Sequence, residues 1–337
     1  MGSSSEILTG REPAAPGLTR LMRAAVELAT RAPSVHNTQP WRWRIEDDRV
    51  ELHADRNRQL TQTDPDGRDL MISCGCALHH LDVAVAGMGL GTTIERFPDP
   101  ENRDHLATVR IRSDRPDRAE SALFSAIGRR RTDRRPYGPG TVAPASITAL
   151  VARAHRRGAG LHPVVHADAR ARLDAVLADA ADAQRHQPGY VAELLTWTRR
   201  YAGSHDGVPP ASIPNRPPYQ RDAWNRFPPG RLATPLRHLS DDGMLVAVTT
   251  EDDGGLARLV AGEATSAILL AATRAGLASA PLSQALELPQ TRDRLARNAL
   301  HIPDHPQMVV RIGHPPDDTE LPETPRRPLS AVLMAPR

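Results

Sequence analysis

The chain contains an internal repeat, which restricts its possible folds more than any other feature of the sequence. Gly75–Leu90 aligns with Gly262–Leu277 at a constant shift of 187 residues. Five positions are identical: Gly75/Gly262, Ala77/Ala264, Ala84/Ala271, Gly89/Gly276 and Leu90/Leu277. Both segments predict a long buried helix closed by a glycine C-cap. Chance matching of two Ala-rich helices is the alternative, but the tripeptide Val-Arg-Ile at 109–111 and again at 310–312 supports a duplication independently of composition.

A weaker match extends the repeat upstream. Leu18–Ala32 lies over Ile147–Ala159 at a shift of 129 residues. Each half is then predicted to run helix, strand, long helix and strand, with a loop and a charged helical piece before the last strand. This order favours an α+β fold over a doubly wound sheet. We place the first half at residues 1–122 and the second at 123–337.

The second half carries an insertion that the first half lacks. Residues 169–203 show helical spacing of leucine and valine, whereas 204–237 are rich in proline and include Tyr219, Trp224 and Phe227. Large rings among prolines favour an ordered cover over a solvated linker. We therefore predict a lid at about residues 185–240.

The charge pattern excludes several chemistries. All 43 basic residues are arginine, so a Walker P-loop, a Schiff base and pyridoxal-phosphate chemistry are excluded for want of a lysine. The net charge of +3 says little about nucleic acid, and only local arginine clusters bear on it. No stretch approaches the roughly 18 apolar residues of a membrane span, and no secretory signal is visible. We expect a cytoplasmic protein.

Cys74 and Cys76 lie close to His79 and His80, which raises the alternative of a metal or redox site. Four ligands so crowded cannot easily surround one zinc ion. Small, buried, reduced packing residues are the favoured interpretation, and we expect no metal site.

Two polar segments are candidates for binding. The run "GRRRTDRRPYGP" at 128–139 offers guanidinium forks and a threonine hydroxyl, which suit phosphate oxygens. A solvated basic turn or a nucleic-acid patch is the alternative. The turn "RAPSVHNTQPWRW" at 31–43 places small polar groups before Trp41 and Trp43, which alternate as core residues of a strand. His36 either fixes this turn or donates to a ligand, and "GMGLG" at 87–91 is a helix C-cap because it follows a helix.

These segments together resemble the nitroreductase family, whose members are FMN-dependent two-electron reductases built as intertwined α+β homodimers. The turn at 31–43 is similar to the family's Ala-Pro-Ser-x-x-Asn-x-Gln-Pro-Trp turn, and "RRTDR" at 130–134 resembles its Arg-x-Ser-x-Arg phosphate segment. Residues 276–316 resemble the family's C-terminal run, and "TPRRPL" at 324–329 resembles its last phosphate contact.

Each half has lost one of these parts. The first half has the turn but begins too late for the arginine segment, and the second half shows "RGAGLHPV" where the turn belongs. We therefore expect a nitroreductase-like fold in which two related halves form a pseudo-dimer with one FMN at the internal interface. A monomer could then replace the usual homodimer, with further association left open. The arrangement also resembles the Acg family, in which fused halves hold one FMN under a lid, and that resemblance implies a poorly accessible flavin.

The resemblance implies a role for each matching residue. Arg130, Thr132, Arg326 and Arg327 would bind the FMN phosphate, Arg134 would lie near the flavin N1/O2 edge, and the loop after Gly276 would offer a backbone N–H to N5. Pro33 and Ser34 would cover the flavin face, while Asn37 and Gln39 would chiefly fix the turn. No side chain need act as acid or base, because the cofactor carries the chemistry. The cofactor-binding set predicted is Pro33, Ser34, Val35, Asn37, Arg130, Arg131, Thr132, Arg134, Pro281, Leu282, Ser283, Gln284, Arg326 and Arg327.

Two functions follow. The first is an oxidoreductase that takes hydride from NAD(P)H and reduces an electron-poor small molecule, such as a nitroaromatic or a quinone. The second is a protein that sequesters FMN under a closed lid without turnover. A nucleic-acid binder would use only the arginine run, and we expect neither nucleic acid nor membrane as a partner.

Overall fold

Two antiparallel sheets of four strands organise the molecule. The computed structural model describes residues 16–201, 203–215, 226–234 and 241–335. The first sheet has the order β1-β2-β4-β3 and the second the order β5-β6-β8-β7, so both share one topology. The strands are β1 Trp41–Ile45, β2 Arg49–Ala54, β3 Gly91–Arg96, β4 His105–Arg112, β5 Gly160–Val164, β6 Met244–Thr250, β7 Ala278–Leu282 and β8 His305–Gly313.

The two sheets also share their register. Val50 of β2 pairs with Val109 of β4, and Val246 of β6 pairs with Val310 of β8, so the repeated Val-Arg-Ile tripeptides occupy equivalent places. The second strand of each sheet carries a register shift near its end, at Leu52/His53 and at Val248/Thr249. Matched register and matched irregularities are hard to obtain by chance, and they support the duplication.

Helices pack on these sheets and join them. Four belong to the repeat: α1 Pro16–Ala29 and α2 Arg68–Gly87 in the first half, and α5 Pro144–Arg156 and α8 Gly255–Arg274 in the second. The remaining helices are α3 Arg118–Ser121, α4 Phe124–Arg129, α6 Ala167–His186, α7 Tyr190–Thr198, α9 Gln284–Glu287, α10 Pro289–Arg294, which continues as a π-helical turn over Leu295–Leu300, and α11 Leu329–Val332. Short 3₁₀ turns occur at Val35–Asn37, Arg56–Arg58 and Pro210–Ser212.

The long helices α2 and α8 cross at a pair of glycines. A Cβ on Gly75 would lie 2.1 Å from the carbonyl oxygen of Leu259, and a Cβ on Gly262 would lie 2.1 Å from that of Ile72. These two contacts are reciprocal at the repeat shift of 187, since 72 + 187 = 259 and 75 + 187 = 262. Such reciprocity is the mark of an isologous contact about a two-fold axis.

Each half has its own core. In the first, Trp41, Trp43, Val50 and Leu52 pack with α1 and α2, and both tryptophans are buried as the alternation predicts. In the second, Val246, Val248, Val310 and Ile312 pack against α5 and α8. The insertion helix α6 covers the opposite face of the second sheet, where Leu245 and Val309 meet Leu173 and Leu177.

The sequence prediction of element order was incomplete. The two "loops" after the glycine C-caps are in fact the strands β3 and β7, and the strands β2 and β6 were not foreseen. The charged helical piece before the last strand exists in the second half, as α9 and α10, but in the first half a loop joins β3 directly to β4. The C-caps themselves are confirmed, because Gly89 and Gly276 adopt φ of 86° and 75°.

Helices α2 and α8 are long and apolar enough to cross a membrane, by length and composition alone. This differs from the sequence expectation that no stretch approaches such a span. The structure accounts for their apolar character, because 94% of the α2 window and 67% of the α8 window are buried inside the protein.

The C-terminal segment crosses back onto the first half. Leu333 forms a parallel bridge with Trp43, and the Met334 N–H donates to the Trp43 carbonyl at 2.7 Å. The segment before it lines the space between the two halves, and this path brings Arg326 beside the turn at 31–40.

Candidate functional site

A cavity with an empty volume of about 1270 Å³ lies between the two halves. The turn after α1 and the N-terminal part of α2 supply one wall, and the 130–134 segment, β7 and the C-terminal segment supply the other. Of the fourteen residues predicted as cofactor-binding, thirteen line it: Pro33, Ser34, Val35, Asn37, Arg130, Arg131, Thr132, Arg134, Pro281, Leu282, Ser283, Gln284 and Arg326.

Arg327 is the exception. Its guanidinium donates to the Gln39 carbonyl at 3.1 Å and lies 3.4 Å from the Asp55 carboxylate, so it points away from the cavity. Adjacent residues of an extended segment point in opposite directions, which separates Arg327 from Arg326.

The turn after α1 is held in a strained shape. His36, Asn37 and Gln39 all have positive φ, between 45° and 56°, a region that costs non-glycine residues about 1 kcal/mol or more each. Local bonds hold it, because the Gln39 N–H donates to the Ser34 hydroxyl and the Val35 N–H donates to the Ser73 hydroxyl. The strain presents Pro33, Ser34 and Val35 to the cavity.

Asn37 and Gln39 tie this turn to distant segments. The Asn37 amide donates to the Gly207 and Pro325 carbonyls and its oxygen accepts from Arg326, so every polar atom of that side chain is engaged within the protein. The Gln39 amide donates to the His205 carbonyl and accepts from the Arg327 N–H. Both residues fix the turn, although Asn37 also lines the cavity.

Three arginines concentrate positive charge at one end of the cavity. Among the described residues no carboxylate lies within ion-pair distance of Arg130, Arg134 or Arg326, and the Nε atoms of Arg130 and Arg326 have no hydrogen-bond partner there. Burial, with repulsion from neighbouring guanidiniums, lowers the pKa of Arg130 to about 10 and that of Arg326 to about 9. Burial likewise lowers the pKa of Arg134 to about 10. An anion bound at this end would offset both the cost of burying these charges and the repulsion between the guanidiniums.

The other residues of the 130–134 segment that line the cavity also have contacts within the protein. Thr132 lies 3.5 Å from the Arg130 guanidinium and lines the cavity. Arg131 also lines it, but its guanidinium pairs with Glu323 at 2.7 Å. The cationic end is therefore formed chiefly by Arg130 and Arg326, and Arg134 adds a further buried charge where it lies against Phe227.

The segment after β7 forms the opposite end. The Ser283 hydroxyl donates to Glu287 at 2.7 Å, and the Gln284 amide donates to Gln184 at 2.8 Å. Because these side chains are already bonded within the protein, a ligand would meet mainly the backbone at this end.

Part of the insertion covers the cavity. Arg226 binds both carboxylate oxygens of Glu287 at 2.6 and 2.9 Å and donates to Ser283. Phe227 meets the His36 ring edge-on at a centroid distance of 5.5 Å, and the Arg134 guanidinium lies over its ring. Tyr219 and Trp224 of the predicted lid lie outside the described residues.

Sequence reasoning missed several cavity residues. Asp69, Thr265, Ser212 and Arg226 line the cavity, and the first three present polar atoms that have no partner among the described residues. Asp69 is an acid in the first turn of a helix, where the sequence indicates only a favourable interaction with the helix dipole. His36 lines the cavity while its Nδ1 has no described partner, and burial lowers its pKa well below the usual value.

At the place that the repeat relates to this cavity, the arginines are paired with acids. The shift of 187 carries Cys76 to Glu263 and Ser283 back to Arg96. Arg96 binds both oxygens of Glu263 at 2.7 and 2.8 Å, and Arg157 lies 3.6 Å from the same carboxylate. Arg157 belongs to the three-residue connection between α5 and β5, which replaces the eleven-residue connection that forms the turn after α1.

Outside the cavity, one group of described side chains has the composition of a metal site. Ligand atoms of Glu51, His53 and His105 lie within 4.8 Å of one another. The two imidazoles are stacked at 4.5 Å, and Arg44 pairs with Glu51 at 2.8 Å. Stacked rings and a neutralised carboxylate do not converge on one ion, so we assign no metal there. Cys74 and Cys76 are free and buried, as packing residues are expected to be.

Known proteins similar to this chain come from one family. The mycobacterial protein named "Putative NAD(P)H nitroreductase Rv3131" (Mycobacterium tuberculosis) is 44% identical over 93% of this chain and 90% of its own length. The protein named "Putative NAD(P)H nitroreductase acg", from the same organism, is 35% identical over 94% and 96%. No family model matches the chain.

Solved structures that resemble the chain are more distant. The FMN-dependent nitroreductase NfnB from Mycobacterium smegmatis, in complex with NADPH, matches 64% of this chain and 98% of its own with 18% identity and a TM-score of 0.41. A nitroreductase-type protein from Anabaena variabilis matches 90% of both chains with 9% identity and a TM-score of 0.41.

Proposed function

Because the chain belongs to the family of NAD(P)H nitroreductase-like proteins that includes Rv3131 and acg, we propose that it binds one FMN and transfers electrons from NAD(P)H to an electron-poor small molecule. A nitroaromatic or a quinone is the class of acceptor that such chemistry suits. The proposal joins the family relationship to the geometry of one cavity.

The cationic end of the cavity is the observation that carries the proposal. Arg130, Arg134 and Arg326 bury positive charge without an acid partner among the described residues, which is costly unless an anion binds there. A flavin phosphate carries close to two negative charges, and guanidinium forks suit its oxygens. The apolar part of the cavity lining, with Pro33, Val35 and Leu282, is compatible with an aromatic ring system.

The residues would divide the work as follows. Arg130, Arg326 and Thr132 would hold the phosphate, and Arg134 would place a positive charge beside the ring, where negative charge develops on reduction. Pro33 and Ser34 would cover one face, and the backbone of 282–284 would hold the far edge. When bound, FMN supplies the hydride-accepting chemistry, so the protein has only to bind, orient and exclude water.

We further propose that the chain is a fused pseudo-dimer with one site rather than two. The reciprocal contact at Gly75 and Gly262 supports a two-fold relation between the halves. At the related position, Arg96 and Arg157 are both paired with Glu263, whereas Arg130 and Arg326 have no acid partner among the described residues, which favours the latter pair for a phosphate.

A second function, sequestration of FMN without turnover, is favoured by the cover over the cavity. Arg226 fastens the insertion to the buried carboxylate of Glu287, and Phe227 closes on His36. If this cover stayed closed, neither NAD(P)H nor an acceptor could reach the flavin.

Two measurements test these functions. Native mass measurement of the FMN-loaded chain should give one FMN per chain, and two FMN or none in excess flavin would contradict the proposal. Anaerobic addition of NADPH or NADH should bleach the visible flavin absorption within turnover time. A yellow protein that these donors leave unbleached but dithionite reduces would instead support sequestration.

A further inference from the structure

Asp69 is a buried acid on the face of α2 that lines the cavity. Asp69 is 2% exposed and lines the cavity, and both of its carboxylate oxygens lack a hydrogen-bond partner among the described residues. Buried polar atoms are nearly always bonded, so two such oxygens on one side chain indicate that a partner binds from the cavity.

Helix capping does not account for Asp69. The Asp64 carboxylate already accepts the N–H groups of Asp69 and Leu70, at 3.0 and 2.8 Å, and so satisfies the start of α2. An apolar residue at position 69 would be the ordinary choice for a buried position in this helix.

The position of Asp69 along α2 separates it from the cationic end. Cys76, seven residues further on, lines the cavity where the charge of Arg130 acts on its thiol. At a rise of 1.5 Å per residue, Asp69 lies about 10 Å along the helix axis from that end. A ligand whose phosphate lies against Arg130 would therefore bring its ring, and not its phosphate, toward Asp69.

The charges around Asp69 disfavour its ionisation. Burial has the largest effect, and the carboxylates of Glu287 on α9 and Asp64 before α2 add to it, which together raise the Asp69 pKa well above its usual value. Arg226 from the insertion and Arg68 on α2 act in the opposite direction, but Arg226 is paired with Glu287 and Arg68 with Asp253. Burial and these charges therefore favour the neutral carboxylic acid form of Asp69, which has one O–H to donate.

We propose that Asp69 is a ligand-binding residue that donates its carboxylic O–H to an acceptor atom of the bound flavin ring. The inference rests on the proposed function, since it takes the cavity's ligand to be FMN. Flavin rings carry carbonyl oxygens and unprotonated nitrogens at their edge, and each can accept such a bond. An ionised Asp69 has no O–H to donate, and its buried negative charge would face the acceptor atom of the flavin. FMN binding therefore requires a protonated Asp69.

The test is the pH dependence of FMN binding to the full-length apoprotein. Over a range of about pH 6 to 10, the dissociation constant of the unaltered protein should stay constant while Asp69 is protonated in the apoprotein. It should rise, by up to about tenfold per pH unit, once the pH exceeds the Asp69 pKa of the apoprotein, because the proton must then be taken up on binding. Asp69→Asn keeps a donor that does not titrate, so its dissociation constant should rise less, and the ratio of the two proteins' constants should change at least fivefold across the range. Titration of the FMN phosphate is common to both proteins and cancels in that ratio.

Asp64→Asn is the matched control, because the Asp64 pKa is raised to about 6, mainly by burial, yet Asp64 does not line the cavity. It should keep a pH-dependent rise of the same steepness, beginning at lower pH because the Asp64 carboxylate helps to raise the Asp69 pKa. Parallel profiles for the unaltered and Asp69→Asn proteins, or a flattened profile for Asp64→Asn instead, would overturn the proposal.

A second measurement does not depend on how the variants fold. The infrared difference spectrum of the unaltered protein with and without FMN should show a carboxylic acid carbonyl band that shifts on flavin binding. A difference spectrum without such a band would also overturn the proposal. Failure of the unaltered protein to bind FMN at any pH would refute the proposed function itself, whereas binding with parallel pH profiles would refute only the role of Asp69.

Discussion

Arg130 shows most directly why the cavity should bind an anion. It is 4% exposed, its nearest polar contacts are the Thr132 hydroxyl at 3.5 Å and the Arg31 carbonyl at 3.4 Å, and no described carboxylate neutralises it. A charge kept in such a place without a partner destabilises the empty protein, and the binding of an anion would offset that penalty.

Replacing Arg130 with Glu should therefore abolish FMN binding while leaving the fold intact. A negative charge at the cationic end would repel the flavin phosphate, so the purified variant should be colourless. Absorbance at the flavin bands together with circular dichroism provides the measurement. Arg129→Glu, which makes the same change at the exposed neighbouring position, should keep its FMN; an FMN content equal in both variants would remove the phosphate assignment.

Gly262 lies at the close crossing of α2 and α8, where a side chain would disturb the packing of the two helices. Replacing it with Ala would place a Cβ 2.1 Å from the Ile72 carbonyl oxygen and force α2 and α8 apart. We expect the free energy of unfolding to fall by about 1–3 kcal/mol, as in other overpacked cores. Urea denaturation provides the measurement. Gly128→Ala has open space around its Cβ and should be neutral or stabilising by up to about 1 kcal/mol; equal losses in both variants would argue against a close crossing.

At the scale of elements, the described part of the cover is held by an ion pair at its start and by backbone hydrogen bonds further on. The Arg226–Glu287 pair is almost fully buried, and both Ser283 and Tyr190 lie beside it. Backbone groups at 230–232 bond to residues 210–215, whereas Arg226 is held through its side chain. We therefore expect release of the Arg226–Glu287 contact to make the cavity more accessible.

Replacing Arg226 with Ala should make the bound flavin more accessible. We expect FMN dissociation and anaerobic bleaching by NADPH to become about tenfold faster or more, the change that a loss of about 1.4 kcal/mol in closure produces. Stopped-flow absorbance measures both rates. Arg231→Ala, an exposed arginine of the same segment, is the control. Rates in the Arg226 variant no faster than in this control would show that the pair does not govern access.

Some structural elements could be predicted from the sequence and others could not. The turn at 31–40 was predicted from its residue types, because a run of small polar groups before Pro40 and Trp41 indicates a special backbone. Strand β3, "GTTIER", was missed since its alternation is short and its end is charged. Its pairing with β4 supplies what its composition lacks.

Side-chain direction and distant contacts were beyond the reach of the sequence. Arg326 and Arg327 are neighbours with identical chemistry, and only the backbone of the C-terminal segment decides that the first lines the cavity. Arg226 lies in a proline-rich stretch without periodicity, and its partner Glu287 is 61 residues away. Asp69 resembles any acid that begins a helix, and only the fold brings it to the cavity.

At the scale of the whole molecule, a charged network joins the halves. Glu120, from the segment between them, pairs with His79 of α2 at 3.0 Å and with Arg157 at 3.0 Å. Burial of Glu120 opposes its ionisation, but the hydrogen bond from His79 and the charges of His79 and Arg157 outweigh burial and lower its pKa to about 2.

This pKa predicts how acid weakens the assembly. A depressed carboxyl pKa stabilises the folded state above the unfolded value of about 4.5, and that stabilisation is lost as pH falls through about 2. The shift corresponds to about 3 kcal/mol. The unfolding free energy should fall over this window in the unaltered protein and fall less in Glu120→Gln. Denaturant titrations at several pH values measure the slopes, and equal slopes would exclude Glu120 as the source.

The glycine crossing of α2 and α8 has an evolutionary consequence. In a protein made of two identical subunits, every substitution at the symmetry axis is made twice, so each change must suit both sides. Here the two copies lie in one polypeptide, and a change can be accepted on one side alone. Cys76 and Glu263, equivalent in the repeat, have diverged in this way: the first faces the cavity, and the second closes the place where its twin would have been. The fusion that we propose would permit a specialisation that no homodimer could reach, because one half could keep the pocket while the other became its support.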